Sequence, residues 1–150
     1  MRITLAAVGR LKRGPERELV DSYLARLPWA VLEKEVVERR SLPAEQLRER
    51  EGERLLAALS PDAVVVVLDP GGRELTSPQF AERLSGWRDT GVDVAFAIGG
   101  ADGLSEAVRS RADLRLSFGA QTWPHMLARV MLAEQLYRAA AILSGHPYHR

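Results

Sequence analysis

Histidine, tyrosine and arginine are concentrated at the C-terminal end of this sequence, where they could transfer protons. All three histidines fall in the last 34 residues, as His125, His146 and His149. Tyr148 and Arg150 flank the last of them in the tail HPYHR. Histidine titrates near neutral pH and can therefore accept or release a proton under physiological conditions. Acid–base chemistry at the tail is the first hypothesis.

The tail histidines are a poor metal site. His146 and His149 are three residues apart, but Pro147 disfavours a continuous helix, so the two rings need not share a face. Zinc sites combine histidine with cysteine or carboxylate ligands, and this chain has no cysteine and no acidic residue beside the pair. We therefore expect no metal. The absence of cysteine also favours an intracellular, cytoplasmic location.

Three glycine-containing loops each follow an apolar run that is typical of a buried strand. They are Leu68–Gly72, Ile98–Gly103 and Phe118–Pro124. Ligands of open α/β sheets bind at the carboxyl ends of the strands, and glycine lets the backbone approach a ligand closely. The loops therefore predict one pocket whose donors and acceptors are largely main-chain groups. Ordinary strand-to-helix turns are the alternative interpretation.

Several common nucleotide and hydrolase motifs are absent. The glycines lie late in the chain and lack the G-x-G-x-x-G spacing of dinucleotide-binding proteins. No Walker A sequence and no G-x-S-x-G elbow occurs. Nicotinamide, P-loop and α/β-hydrolase interpretations are therefore weak.

The elements that must position these residues alternate along the chain. The continuous β-branched run of Ala63–Leu68 predicts a central parallel strand, buried on both faces. Asp69–Gly72 is expected to be a tight turn, Ser77 a helix cap, and Thr122 or Trp123 the cap of the last helix. The pattern predicts a single α/β domain over residues 1–150, with a mostly parallel sheet and helices on both faces. Strands are predicted over 2–8, about 29–37, 63–68, 92–98 and 114–118, and helices over 15–27, 44–59, from 77, after 105 and from about 124 to 144.

The last predicted helix is apolar on nearly every side, which indicates that it is covered on more than one face. We expect the sheet on one side and a partner subunit on another, and hence a homodimer. Two pairs spaced i, i+4 interrupt the apolar pattern, His125 with Arg129 and Glu134 with Arg138. A structural salt bridge is the simpler interpretation of the second pair. The alternative is that it fixes the dimer interface.

The bulk composition sets few constraints on partners. The chain is 46% hydrophobic and 27% charged, with a formal net charge of only +1, as in ordinary soluble proteins. All but two of its 21 basic residues are arginine, which suits phosphate recognition but also follows from base composition. No apolar run approaches the ~20 residues of a membrane span. The first residues are typical of a strand rather than a signal peptide.

Five spaced motifs occur in a fixed order. They are Leu68-Asp69-x-x-Gly72, Ile98-Gly99-Gly100-x-x-Gly103-Leu104, Thr122-x-Pro124-His125, Glu134-x-x-Tyr137-Arg138-Ala139 and Tyr148-His149. Together they resemble the ribosomal large subunit methyltransferase H family, which belongs to the SPOUT class of knotted methyltransferases. The resemblance extends over the whole chain, from the opening strand and Gly9 to the tail.

The resemblance implies a SPOUT-like α/β fold with a C-terminal trefoil knot, a homodimer and S-adenosylmethionine as cofactor. It implies methyl transfer to N3 of a pseudouridine in a 23S rRNA stem-loop on the assembled ribosome. Carried over residue by residue, the catalytic neighbourhood is His125, Tyr148, His149 and Arg150. The cofactor contacts are Leu68, Gly100, Gly119, Ala120, Gln121, Thr122, Trp123 and Pro124. A sulfonium methyl donor needs no metal, which agrees with the weak metal signal.

Several roles follow as hypotheses from this resemblance. His149 is the first candidate for the base that removes the N3 proton, with His125 and Glu134 as alternatives. Arg129, Arg138 and Arg150 could stabilise the resulting anion or hold phosphate. A straight final helix of ~30 Å would separate its two ends, so each site should pair one subunit's loop with the other subunit's tail.

Four basic residues are candidates for contact with rRNA, and two rival functions are also compatible with the sequence. Arg2, Arg10, Lys12 and Arg13 are candidates for contact with the rRNA backbone, and a solvated loop is the alternative. A non-catalytic ribosome- or RNA-binding protein of the same fold is one rival function. A knotted methyltransferase for another RNA is the second.

Overall fold

Strands and helices alternate strictly along the chain. The computed structural model describes all 150 residues, Met1–Arg150. Its strands are β1 (Arg2–Val8), β2 (Ala30–Val36), β3 (Val64–Glu74), β4 (Val94–Ile98) and β5 (Leu114–Ser117). Its helices are α1 (Pro15–Leu24), α2 (Ala44–Ala58), α3 (Ser77–Asp89), α4 (Glu106–Arg111) and α5 (His125–Ser144). The predicted alternation is confirmed.

The five strands form one sheet in the order β2-β1-β4-β3-β5, and every pairing is parallel. Central strand β4 is buried along its whole length and alternates between two cores. Val94, Phe96 and Ile98 join the larger core with α3 and α5, whereas Ala97 joins the smaller core with α2 and α4. Helix α1 packs on α5 through Val20 and Ala133. The predicted parallel α/β architecture with helices on both faces is confirmed.

Strand β3 differs from the prediction at its C-terminal end. It does not stop in a tight turn at residues 69–72 but continues to Glu74. Its ladder with β5 breaks after Leu68 and resumes at Arg73, and both residues pair with Leu116. Residues 69–72 therefore form an excursion out of the ladder, a wide bulge rather than a turn. A Cβ at Gly72 would lie 2.6 Å from the Arg115 carbonyl oxygen, so this excursion requires glycine.

The helix caps also differ from the prediction. Thr76, not Ser77, caps α3, and it forms a reciprocal capping box with Gln79. Pro124 occupies the N-cap position of α5, where no side chain accepts a hydrogen bond from the first turn. Gly145 ends α5 with φ of 72°, a left-handed conformation that favours glycine.

Helix α5 has a buried face and an exposed N-terminal end. Leu132, Ala133 and Leu136 are fully buried. Met126 and Leu127 in the first turn are about two-fifths exposed, as is Trp123 just before it. The expected homodimer and the expected trefoil knot stay predictions. No helix of this fold is both long and apolar enough to span a membrane.

Candidate functional site

The three glycine-containing loops meet at one cavity of about 520 Å³. It opens at the break in β3 after Leu68 and beyond the carboxyl ends of β4 and β5, and strand ends of this kind are the general location for ligands in open parallel sheets. Its volume falls within the range of small-molecule sites. The lining residues are Leu68–Pro70, Ile98–Ala101, Gly103, Leu104, Arg109, Leu116, Phe118, Gly119, Gln121–His125 and Ala128. All the predicted cofactor contacts except Ala120 line it.

The glycines of this cavity are of two kinds. Gly103 and Gly119 have φ of 82° and 107°, and a Cβ built on either would meet nothing within 4 Å. Side chains there would project into open space beside the cavity wall. Gly100 is instead tightly packed, because its Cβ would lie 2.6 Å from an Oε2 of Glu51 and 3.0 Å from a Val8 methyl group. The backbone of that loop is therefore held against α2.

Asp69 begins the excursion of β3 and is the most heavily bonded acid at the cavity. Its side chain is only 6% exposed. It accepts hydrogen bonds from the Gly71 amide at 3.0 Å, from Arg109 Nε at 3.1 Å and from Arg115 Nε at 3.2 Å. Burial acts to raise the pKa of Asp69, but the Gly71 amide and the two arginines outweigh it and hold the pKa below the ordinary value. The carboxylate therefore remains charged and fixes both arginines.

Arg109 places a cation in the same wall. It is about one-third exposed and lines the cavity together with Asp69. The sequence does not single out either residue as a site candidate, although Asp69 is part of the motif Leu68-Asp69-x-x-Gly72. An acid directly after a buried strand could have indicated Asp69, because such positions face the ligand edge of the sheet. No sequence signal singles out Arg109 among the many arginines.

His125 is the one candidate acid–base residue that lines this cavity. It is the first residue of α5 and lies over the end of β1, with its Nε2 atom 3.4 Å from where a Cβ of Gly9 would be. Gly9 has φ of 90°, so both its conformation and its lack of a side chain suit this close approach. The exposed residues Arg10, Lys12 and Arg13 follow immediately.

Arg129 has a structural role. Its guanidinium is 6% exposed and bonds Glu35 at 2.9 Å, Glu33 at 3.3 Å and the Gly9 carbonyl at 3.4 Å. Glu35 also accepts a hydrogen bond from the Leu11 amide. Burial acts to raise the pKa of Glu35, but this amide and Arg129 outweigh burial and lower the pKa. These bonds fasten α5 to β1 and β2. Arg129 is therefore not free to hold a substrate anion, contrary to the suggestion from its sequence position.

The C-terminal tail folds back along α5. The Tyr148 hydroxyl donates to Glu134 at 2.9 Å, and the Arg138 guanidinium lies 4.7 Å from the centre of the Tyr148 ring. Arg138 in turn forms an ion pair with Glu134 at 2.7 Å and approaches His149 Nδ1 at 3.4 Å. Burial first, and then hydrogen bonds with Tyr23 and Glu134, raise the pKa of Tyr148 to about 12. The predicted Glu134–Arg138 salt bridge is present and anchors the tail.

The tail does not reach the cofactor-sized cavity of its own chain. Tyr148, His149 and Arg150 are absent from its lining. Their anchor, Glu134, is nine residues from His125, about 14 Å along the helix axis, so the fold-back halves the ~30 Å separation expected for a straight helix. A second cavity of about 500 Å³ is lined by Tyr23 and Glu134 and shares Phe118 and Gly119 with the first. The tail therefore lies at the rim of this second cavity.

Metal-ligating side chains do not converge anywhere in the fold. No group of three or more histidine and carboxylate side chains comes together in a way that could hold an ion. The charged groups of the first cavity are instead used in the ion pair between Asp69 and Arg109.

Comparison with known proteins identifies close relatives over the full length. Residues 1–149 match the family described as predicted SPOUT methyltransferase. A Ribosomal RNA large subunit methyltransferase H of Rhodospirillum centenum is 56% identical over 151 residues, covering 100% of this chain and 99% of the relative. The protein of the same name from Paramagnetospirillum magneticum is 58% identical with the same coverage.

Solved structures share the fold at low sequence identity. A methylase family protein from Haemophilus influenzae has a TM-score of 0.56 at 12% identity, covering 99% of this chain and 70% of that one. A methyltransferase from Legionella pneumophila, solved with bound SAM, has a TM-score of 0.51 at 18% identity, covering 93% of this chain and 66% of that one. These two show the fold alone. The full-length family match and relatives above 50% identity establish that the chain belongs to the SPOUT methyltransferase family.

Proposed function

We propose that this protein methylates large-subunit ribosomal RNA with S-adenosylmethionine as donor, at N3 of a pseudouridine in a 23S rRNA stem-loop. The observation that carries the proposal is the cavity at the break in β3 and the ends of β4 and β5, in a chain whose full-length relatives are named as large-subunit rRNA methyltransferases. The cytoplasm, where ribosomes are assembled, is the proposed location. A knotted methyltransferase for a different RNA is the alternative within the same family.

The cavity fits this cofactor by size and by wall chemistry. It has room for a nucleoside with an amino-acid side chain, and Gly103 and Gly119 leave open space where side chains would otherwise project. Arg109, about one-third exposed, is held in one wall by Asp69 through its Nε, and its remaining N–H groups can face the carboxylate of an amino-acid moiety. When bound, the cofactor supplies an electrophilic methyl group on a sulfonium. The proposed contacts are Leu68, Gly100 and Gly119–Pro124, of which only Ala120 does not line the cavity.

The chain's own contribution is position rather than covalent chemistry. A methyl transfer is an in-line displacement, so holding donor and acceptor at attack distance accounts for much of the acceleration. His125 lines the cavity and can contact the acceptor directly. Phe118 and Trp123 supply apolar surface to the same wall and limit access of water. Tyr148, His149 and Arg150 are proposed to complete the site.

We infer that the completing tail comes from the partner subunit of a homodimer. Two observations support this: the tail lies outside the cavity of its own chain, and apolar side chains remain exposed near the cavity entrance. Those side chains are Trp123, Met126 and Leu127. Burial of such a patch against a second copy is a usual basis for association.

The RNA is proposed to approach over the loop that follows β1. Arg10, Lys12 and Arg13 are exposed there and form no ion pair within the chain. They follow Gly9, on which His125 rests, so a phosphate backbone held by these cations would pass close to the cavity. With a net charge of only +1, affinity for free RNA should be weak, which favours the assembled ribosome as substrate.

The decisive experiment is transfer of labelled methyl groups to 70S ribosomes, 50S subunits and free 23S rRNA, followed by mapping of the modified base. We expect modification at one pseudouridine and a preference for assembled particles. Modification of another RNA class would favour the alternative methyltransferase. Calorimetry that finds no affinity for S-adenosylmethionine would instead favour a non-catalytic ribosome-binding protein of the same fold.

Mixed dimers test the shared site. One chain carries Gly100→Ala in the cavity, and the other carries His149→Ala in the tail. If tails act across the dimer, each mixed dimer has one site with both parts intact and, at a limiting cofactor concentration, is more active than either homodimer. If tails act within their own chain, both sites of the mixed dimer are defective and no recovery occurs.

A further inference from the structure

The contact between Arg138 and His149 determines which nitrogen of the imidazole carries the proton. Arg138 Nη1 lies 3.4 Å from His149 Nδ1. A guanidinium has five N–H donors and no acceptor. Nδ1 must therefore accept this hydrogen bond, and a neutral imidazole that accepts at Nδ1 carries its proton on Nε2.

Arg138 is held so firmly that the contact is not incidental. Its guanidinium forms an ion pair with Glu134 at 2.7 Å and lies 4.7 Å from the centre of the Tyr148 ring. Glu134 is itself fixed by the Tyr148 hydroxyl and by the Gln135 side-chain amide, both at 2.9 Å. Arg138 is the charged group in contact with His149, and Glu134 and Tyr148 hold Arg138 in place. The cluster therefore keeps a donor aimed at Nδ1.

We propose that His149 acts in the methyl transfer as a hydrogen-bond donor through Nε2–H, and that it is not the base. This rests on the proposed function, in which the acceptor is an imide nitrogen between two carbonyl groups. Loss of the imide proton spreads negative charge onto both carbonyl oxygens, and an N–H donor to one of them stabilises that anion. The first candidate role for His149, removal of the proton, needs a free lone pair, and its Nδ1 lone pair is already engaged by Arg138.

The transfer balances without histidine as proton acceptor. The imide proton leaves to solvent hydroxide, and the freed electron pair on N3 forms the new nitrogen–carbon bond. The carbon–sulfur bond of the sulfonium breaks, and its electrons remain on sulfur as a neutral thioether. The Nε2 proton of His149 stays on the imidazole throughout, so its hydrogen bond can strengthen as charge develops on the carbonyl oxygen.

The tautomer can be measured without any activity. Long-range proton–nitrogen NMR correlations on ¹⁵N-labelled protein distinguish a protonated Nε2 from a protonated Nδ1. His146 is an internal reference, because its Nδ1 accepts the Tyr148 amide at 3.2 Å and it must also be the Nε2–H form. We expect His149 to show the same pattern as His146. A proton on Nδ1 of His149, or an equal mixture of the two forms, would overturn the inference.

Two substitutions separate donor from base in the reaction. His149→Gln can place an N–H donor near the position of Nε2, whereas the shorter side chain of His149→Asn reaches the position of Nδ1 but places no donor near that of Nε2. We expect the asparagine variant to lose roughly 10- to 100-fold in kcat/KM relative to the glutamine variant, as for removal of one hydrogen bond to a charged group. His146→Asn, which preserves the acceptor for the Tyr148 amide, is the matched control and should retain normal activity.

The pH dependence of kcat/KM distinguishes a hydrogen-bond donor from a base at position 149. With His149 as donor, the pH dependence of kcat/KM is the same in wild type and in His149→Gln. With His149 as base, both variants lose activity equally, and the pH profile of both differs in shape from that of the wild type. If the wild type methylates no ribosomal particle, the proposed function fails, and the NMR measurement still decides the tautomer.

Discussion

Replacement of Asp69 by asparagine removes the central charge of the cavity wall without changing its shape. The Gly71 amide can still bond the remaining carbonyl oxygen of the side chain. The Nε donors of Arg109 and Arg115 instead face a neutral group that presents an N–H₂ of its own. Both arginines are released from their shared anchor, so the excursion of β3 loses its link to α4 and one of its side-chain links to β5.

The magnitude follows from the two charge-assisted hydrogen bonds. Bonds to charged groups contribute about 1.5–3 kcal/mol each to the free energy of unfolding. Arg109 and Arg115 are 34% and 47% exposed, so water replaces part of each bond when the carboxylate is gone. A loss of about 2 kcal/mol is therefore expected for Asp69→Asn. With a urea slope of about 2 kcal/mol per molar, the unfolding midpoint should fall by about 1 M.

Urea unfolding at one fixed protein concentration measures the change, and calorimetry measures S-adenosylmethionine affinity. Asp89→Asn is the matched control, because Asp89 forms an ion pair with Arg88 on the exposed surface of α3 and should contribute little. The folded pKa of Asp69 is lowered, so its contribution is complete above the unfolded pKa and is lost as pH falls through the folded pKa. The difference between wild type and variant should therefore shrink in acid below about pH 4. Equal midpoints at neutral pH with unchanged affinity would refute this account of the wall.

Gly100→Ala should weaken S-adenosylmethionine binding by roughly tenfold in calorimetry, because the added methyl group would press on Glu51 and Val8. Overpacking of this kind typically costs about 1–3 kcal/mol. Gly86→Ala is the control, because a methyl group there would meet nothing within 4 Å. Tyr148→Phe should lower the free energy of unfolding by about 1 kcal/mol in urea, through loss of the bond to Glu134. Burial and its hydrogen bonds raise the pKa of Tyr148 to about 12. Its contribution to the free energy of unfolding is therefore full below about pH 10 and declines between about pH 10 and 12. A spectrophotometric titration should show one tyrosine that ionises late. Arg129→Met should cost about 2–4 kcal/mol in the same urea assay by leaving two carboxylates without their buried cation, and a cost near zero would contradict its structural assignment.

Periodicity was sufficient to predict the fold because each strand has a strong local signature. The β-branched run that contains Val65–Val67 and the fully buried Val94–Ile98 can only be covered on both faces, so parallel pairing and two helical layers follow. The end of β3 could not be predicted in the same way. Pro70, Gly71 and Gly72 have the composition of a turn, and only the pairing of Arg73 and Glu74 with distant Leu116 and Ser117 makes the chain continue as a strand.

The sequence predicts the parts of the candidate site that the backbone forms, but it does not predict which partners the long side chains contact. Glycine-containing loops at strand ends mark the cavity, since the carboxyl ends of parallel strands converge. The partner of a long side chain carries no such local signal. Arg129 was a plausible anion-binding residue by its spacing from His125, yet it turns toward Glu33 and Glu35. The fold-back of the tail likewise depends on Tyr148 finding Glu134, 14 residues earlier.

The position of β1 in the sheet has a consequence for biosynthesis. This first strand lies between β2 and β4. Ile3 pairs with Val31 of β2 on one side and with Val94 of β4 on the other. At synthesis rates of about 5–20 residues per second, Val94 emerges roughly 5–20 s after Ile3. During that interval the nascent chain exposes an open edge of one of its most apolar strands, which is a template for wrong pairing. Folding of this sheet should therefore be slow, and the sheet can close only after β4 has been synthesised.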